Sequence, residues 1–163
     1  MRATLTAAAL AAILGLTAWS CGDAEDPLRW RGPEDLRTVL QIDSAPPGLS
    51  EAVVVDSASW FPAVELPTGQ ENDVEVEGPF RIEFRNTADQ TLQMRYDLRF
   101  FDDTGFVIDW FIPFGQPVDF AAGQTRVEEG TFVVRTTPDL GRFGLAEMRI
   151  AARLTLLEKE EQK

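Results

Sequence analysis

Histidine is absent from the 163-residue chain. That removes the usual proton shuttle and the commonest metal ligand. One cysteine is present, Cys21, so no internal disulfide can form; an oxidising compartment stays compatible. Basic side chains are few, 15 Lys and Arg against 27 Asp and Glu, for a net charge of −12. Beyond the first twenty residues, which carry Arg2 and no acid, 14 basic side chains face 27 acidic ones, a balance of −13. A chain so short of cations disfavours a nucleic-acid partner, because it has little to neutralise phosphates. It equally disfavours electrostatic attraction to anionic lipid headgroups. No Ser stands in a Gly-x-Ser-x-Gly elbow, and no His is available as its base. What is present is ordinary globular material, 44% hydrophobic and sized for one domain without internal repeats.

The N-terminus reads as a targeting segment. Arg2 is a minimal positive region, and Leu5 to Ala18 is an apolar run of 14 residues, short for a membrane span and typical of a signal-peptide core. It ends in Ala18-Trp19-Ser20-Cys21-Gly22. Small residues ahead of a cysteine resemble the lipobox of bacterial lipoproteins, in which the cysteine is lipidated and becomes the mature N-terminus. That resemblance implies a lipoprotein signal peptide over residues 1–20, lipidation at Cys21, and a membrane partner reached through the lipid. Gly22 after the cysteine, rather than Asp, favours the outer membrane, with the protein facing the periplasm. Ala18-x-Ser20 also fits an ordinary signal-peptidase site, which would release a secreted protein.

Residues 21–28 are polar and acidic, a tether. Pro33 to Leu40 carries helix-start signals, with Gly32 before Pro33 and two acids in the first turn, and predicts a short N-terminal helix. Ala52 to Val55 is the first expected strand, while Trp60-Phe61-Pro62 and Leu66-Pro67 read as irregular, partly buried chain. Residues 29–78 are thus expected as an extension packing on a core over residues 79–157, with 158–163 a solvated tail. Glu71, Asp73, Glu75 and Glu77 alternate with less polar residues in a spacing that matches no calcium loop. A charged face that discourages edge-to-edge pairing accounts for them better.

From Phe80 onward the period is two. Phe80 to Arg85 alternates; Asn86 to Gln90 is turn chemistry; Leu92, Met94, Tyr96, Leu98 and Phe100 take one face of a long strand. Asp102-Asp103-Thr104-Gly105 closes a hairpin, with Gly105 free to adopt positive φ. Phe106 to Phe114 returns, Pro117 to Phe120 and Thr125 to Arg135 follow, and Ala146 to Leu156 alternates as a last strand. About seven strands with closely spaced turns predict an all-β, antiparallel immunoglobulin-like β-sandwich.

The stretch Asn86-Thr87 followed by Leu92 to Gly105, with Leu140-Gly141 and Met148-Arg149-Ile150 later, resembles the YcfL-like family of bacterial envelope lipoproteins. Another immunoglobulin-like envelope family, named for its Phe-x-Leu-Tyr-Asp motif, shares the Asn turn and the Tyr-x-x-x-Phe-x-Asp-x-x-Gly hairpin. The resemblance covers about Pro79 to Leu156 and implies an envelope lipoprotein of undefined role, with no catalytic residues to carry over.

The residues point the same way. Asp102 and Asp103 are adjacent, so a strand would send them to opposite sides, and turn chemistry explains them better than catalysis does. Glu128-Glu129 has the same weakness, leaving a carboxylate-dependent hydrolase as the remote alternative. No enzyme activity, cofactor or metal is expected. Binding has a better candidate, because Phe106 to Phe114 is apolar on both faces. One face would carry Ile108, Trp110 and Phe114, the other Phe111 and Pro113. Trp110, Phe111 and Phe114 are the expected border of a site for an envelope protein, unless Trp110 plugs the core and Phe111 packs under the N-terminal segment. A purely structural envelope lipoprotein is the remaining alternative. The oligomeric state is not fixed by the sequence.

Overall fold

The computed structural model describes residues 35–70, 72–141 and 144–157. Among the described residues nine strands follow one another: β1 (Arg37–Ser44), β2 (Val53–Trp60), β3 (Val64–Pro67), β4 (Val74–Asn86), β5 (Leu92–Phe101), β6 (Val107–Phe111), β7 (Val118–Phe120), β8 (Thr125–Thr136) and β9 (Glu147–Leu156). They make two sheets. The first runs β1-β9-β5-β6, with β7 alongside β5 beyond the end of β6. In the second, β4 lies between β8 on one side and β2 and β3 end to end on the other.

Alternation places the core between the sheets. On β4, Val74, Val76, Phe80, Ile82 and Phe84 are buried, and on β5 so are Leu92, Met94, Tyr96, Leu98 and Phe100. Aromatic rings meet across the interface: Phe100 and Phe132 at 4.5 Å between centroids, Phe84 and Tyr96 at 5.3 Å, Trp60 edge-on to Phe100 at 5.4 Å. Such offset and edge-on pairs add to the area that each ring buries. Both open sides of the sandwich are stitched. The Trp60 indole N–H donates to the Arg37 carbonyl, and on the other side the Asp109 carboxylate accepts from the Arg135 amide at 2.7 Å.

The all-β sandwich expected from the period-two pattern is the fold. Several details differ. Arg37 to Leu40, expected as helix, lie in β1, which pairs parallel with β9 and makes the first sheet mixed. Leu40 and Ile42 pack on the core, so a strand buries their face better than one isolated helical turn. The described residues hold nine strands rather than about seven, because β1 and the short β3, which includes Leu66-Pro67, were hidden by prolines and weak alternation. Residues 37–78 are integral to both sheets, and β4 runs straight through the expected boundary at 79. Glu75 and Glu77 sit on a central strand, so they protect no edge; Glu75 pairs with Arg135 of β8 at 3.0 Å. Trp60, placed in irregular chain by the sequence reading, is the tryptophan that fills the core, at 5% exposure.

Candidate functional site

The two turn motifs are built as the residue types require. Asn86 is fully buried at the end of β4, its Nδ2 donating toward the carbonyls of Gln90, Phe120 and Ala121 while Oδ1 accepts from the Ala88 amide. One amide therefore closes its own turn and ties it to the end of β7. In the β5–β6 hairpin, Asp102 Oδ1 accepts from the amides of Thr104 and Phe106 and from the Thr104 hydroxyl. The Thr104 hydroxyl, with the Phe106 and Thr104 amides, holds the Asp102 carboxyl below the usual carboxylate value. Gly105 takes φ +84°, where a side chain would be strained.

β6 faces differently from the simple alternation. Its register against β5 slips between Phe100 and Phe101, so one extra residue enters β6 between Val107 and Asp109. The bulge re-phases the strand. Phe111, opposite Leu98, turns inward and packs edge-on to Phe80 at 6.2 Å; Ile108 also packs on the core. Trp110, opposite Arg99, turns outward and is 62% exposed. The chain beyond it leaves Ile112 at 61% and Phe114 at 93% exposure, with Pro113 buried between them. Of the three expected border residues, Trp110 and Phe114 are on the surface. Phe111 is half-buried, on a β4 side chain rather than under the N-terminal segment.

The connection from Pro113 to Gln116 is clamped to β5 by a side chain. The Gln116 amide accepts from the Tyr96 N–H at 2.6 Å and donates to the Tyr96 carbonyl at 2.5 Å. It thus occupies the gap in the ladder between β7, which reaches Met94, and β6, which starts at Leu98. Beside this clamp lies a groove of about 400 Å³, bordered by Arg95, Asp97, Ile112, Phe114 and Arg153. Asp97 is nearly buried and holds two guanidinium groups, Arg99 at 2.7 Å and Arg153 at 3.2 Å. Arg99 reaches on to Asp43 at 2.6 Å. Burial pushes the Asp43 carboxyl up, but hydrogen bonds from Arg99 and Gln41 outweigh it and hold the group below its ordinary value.

Carboxylates weighed as catalytic are engaged with other partners. Asp102 is engaged in its turn, and Glu128 pairs with Arg126 at 2.6 Å. Among the described residues no three His, Cys, Asp or Glu side chains are grouped to hold a metal ion. The Tyr96 hydroxyl is enclosed in the core; burial, with Glu128 nearby, raises its pKa well above the ordinary phenol value. Cys21, the signal segment and the tether lie outside the described residues.

The arginine groove escaped the sequence reading. Alternation set Arg95 and Asp97 on one face, but only the pairing of β5 with β9 brings Arg153 beside them. No local signal marks Gln116 as the clamp.

No family model and no curated protein matches the chain. Among solved structures, the X-ray structure of Northeast Structural Genomics Consortium target SoR45 is 10% identical, covering 71% of this chain and 93% of its own, with a TM-score of 0.42. Campylobacter jejuni cj0090 is 15% identical over 72% of this chain and 97% of its own, with a TM-score of 0.37. A β-glucuronidase from glycoside hydrolase family 2 is 10% identical over 65% of this chain but 11% of its own length, with a TM-score of 0.34. At such scores the likenesses carry no weight for function.

Proposed function

We propose that this protein is a non-catalytic lipoprotein of the bacterial cell envelope, held at the outer membrane through a lipid on Cys21 and facing the periplasm. Its β-sandwich is an interaction module that docks another envelope protein. The observation that carries the docking is the exposure of Trp110, Ile112 and Phe114 in one short stretch at the end of the edge strand β6 and just beyond it. Large apolar side chains grouped at a surface mark an interaction site more often than scattered ones do, and Trp is enriched among binding hot spots. The resemblance to YcfL-like envelope lipoproteins supports the location, as does the apolar run that ends at the only cysteine.

A photo-crosslinking residue in place of Val107, beside this surface, tests the docking in cells. One dominant protein adduct is expected, and it should fade when Trp110→Ser and Phe114→Ser are combined, with the melting temperature unchanged. Adducts spread over many proteins, or one adduct indifferent to both substitutions, would leave a purely structural envelope protein as the better reading.

A further inference from the structure

The outer face of the β1-β9-β5-β6 sheet contradicts the charge of the chain as a whole. It gathers Arg37, Arg95, Arg99, Arg149 and Arg153 against Asp43, Asp97, Asp119 and Glu147, five cations to four anions in a protein of net charge −12. Within the face, Arg95 stands directly opposite Arg153 across the β5–β9 pair. Like charges in directly opposed positions destabilise a sheet. Arg99 stands opposite Arg149 in the same way, but there local partners offset the repulsion: Arg149 holds Glu147 at 2.7 Å and lies 4.2 Å over the Phe101 ring. Arg153 shares Asp97 with Arg99, and Arg95 has no ion-pair partner among the described residues. Arg95 and Arg153, with the Asp97 carboxylate that Arg153 holds, thus line a groove whose wall also includes the apolar Ile112 and Phe114. The wall is held in place by the Gln116 clamp, and Gly115 at φ +82° turns the chain there. The groove's size falls within the usual range for small-ligand sites, and paired guanidinium forks suit phosphate or carboxylate oxygens.

We propose that this groove binds an anionic amphiphile, its oxyanion head between Arg95 and Arg153 and its apolar chain along Ile112 and Phe114. A bound anion supplies the counter-charge that Arg95 lacks, joining Asp97 on Arg153, and the chain covers side chains otherwise left in water. The lipid chemistry of such a ligand suits a protein placed at a membrane. The site does not need the protein partner proposed above, although both use Phe114.

Titration calorimetry of the full chain with octyl phosphate, octanoate, inorganic phosphate and octyl glucoside, each below its micellar concentration, tests the site. Octyl phosphate or octanoate is expected to bind at least ~10-fold more tightly than either the head alone or the neutral amphiphile, about one guanidinium contact's worth of affinity. Preference for octyl phosphate assigns a phospholipid-like head, and preference for octanoate a fatty carboxylate. Arg95→Gln should weaken binding ~10-fold or more while raising the melting temperature by about 1–3 °C, because it relieves the like-charge pair. A residue kept only for structure would not lose binding while gaining stability. Trp110→Ser should leave amphiphile binding unchanged even where it abolishes protein docking, so the two proposals fail separately. Equal binding of octyl glucoside and octyl phosphate, no binding of either anionic amphiphile, or full affinity in both Arg95→Gln and Arg153→Gln would overturn the proposal.

Discussion

A glycine and an aspartate divide the work of the β5–β6 hairpin. Asp102 gathers the turn amides, which fixes where the strands separate, and Gly105 supplies the backbone conformation that lets them return. A Cβ built on Gly105 would meet nothing within 4 Å, so any cost of substitution there is conformational rather than steric. Gly105→Val should therefore lower stability by more than about 1 kcal/mol, since a β-branched residue resists positive φ. Gly105→Asn should lose clearly less, because Asn tolerates the left-handed region. Chemical denaturation of the two variants checks this; equal losses would mean that crowding, not backbone strain, governs the position. These two residues were legible in the sequence because a tight turn is a local problem, solved within four residues. Asn86 was legible as a turn residue for the same reason. Its bonds to Phe120 and Ala121 were not, because they join positions more than thirty residues apart.

At the scale of the element, β6 shows where periodicity stops being informative. A strict period of two puts Trp110 with Ile108 and sets Phe111 apart from both. The bulge near Val107 breaks that bookkeeping, so Ile108 and Phe111 both reach the core while Trp110 leaves it. Nothing in the sequence of β6 announces the slip, since it arises from its pairing with Phe100 and Phe101 of β5. β1 was missed for a related reason. Its helix-start signals are real local preferences, but the edge of β9 offers its backbone a full ladder and its apolar side chains a core. The second half of β4, from Phe80, and the long strands β5, β8 and β9 were readable because no local preference competed with their pattern; the first half of β4, with Gly78 and Pro79 beside it, was not. The two aromatic residues of β6 now separate by stability. Phe111→Ser should cost about 2 kcal/mol, less than a fully buried aromatic truncation because the ring is only half-buried. Trp110→Ser should stay within about 0.5 kcal/mol of the parent. Thermal unfolding of both variants measures the difference, and a larger loss for Trp110 would reverse the assigned facing of β6.

Over the whole molecule, charge works at two distances. The excess of acid repels itself, a long-range term that weakens as protons are added. The short-range carboxylate contacts respond the opposite way. Burial raises Asp43, but Arg99 and Gln41 outweigh it; Arg85 lowers Asp56, and Thr104 lowers Asp102. Each group has a folded pKa below its unfolded value, so the folded chain binds fewer protons at these sites. The stability they contribute is fully present above the ordinary carboxylate value near ~4 and is lost as pH falls through the lower folded values. Without histidine, no side chain of ordinary pKa titrates between about pH 5 and 8. The melting temperature should accordingly stay level from pH 8 to about 6, hold or rise slightly toward about 5 as repulsion eases, and fall below about 4. Asp43→Asn should flatten part of the acid decline, because it removes one depressed carboxylate. Calorimetric scans of parent and variant across that range make the comparison. A melting temperature that kept rising down to pH 3 would show that self-repulsion outweighs the paired carboxylates throughout.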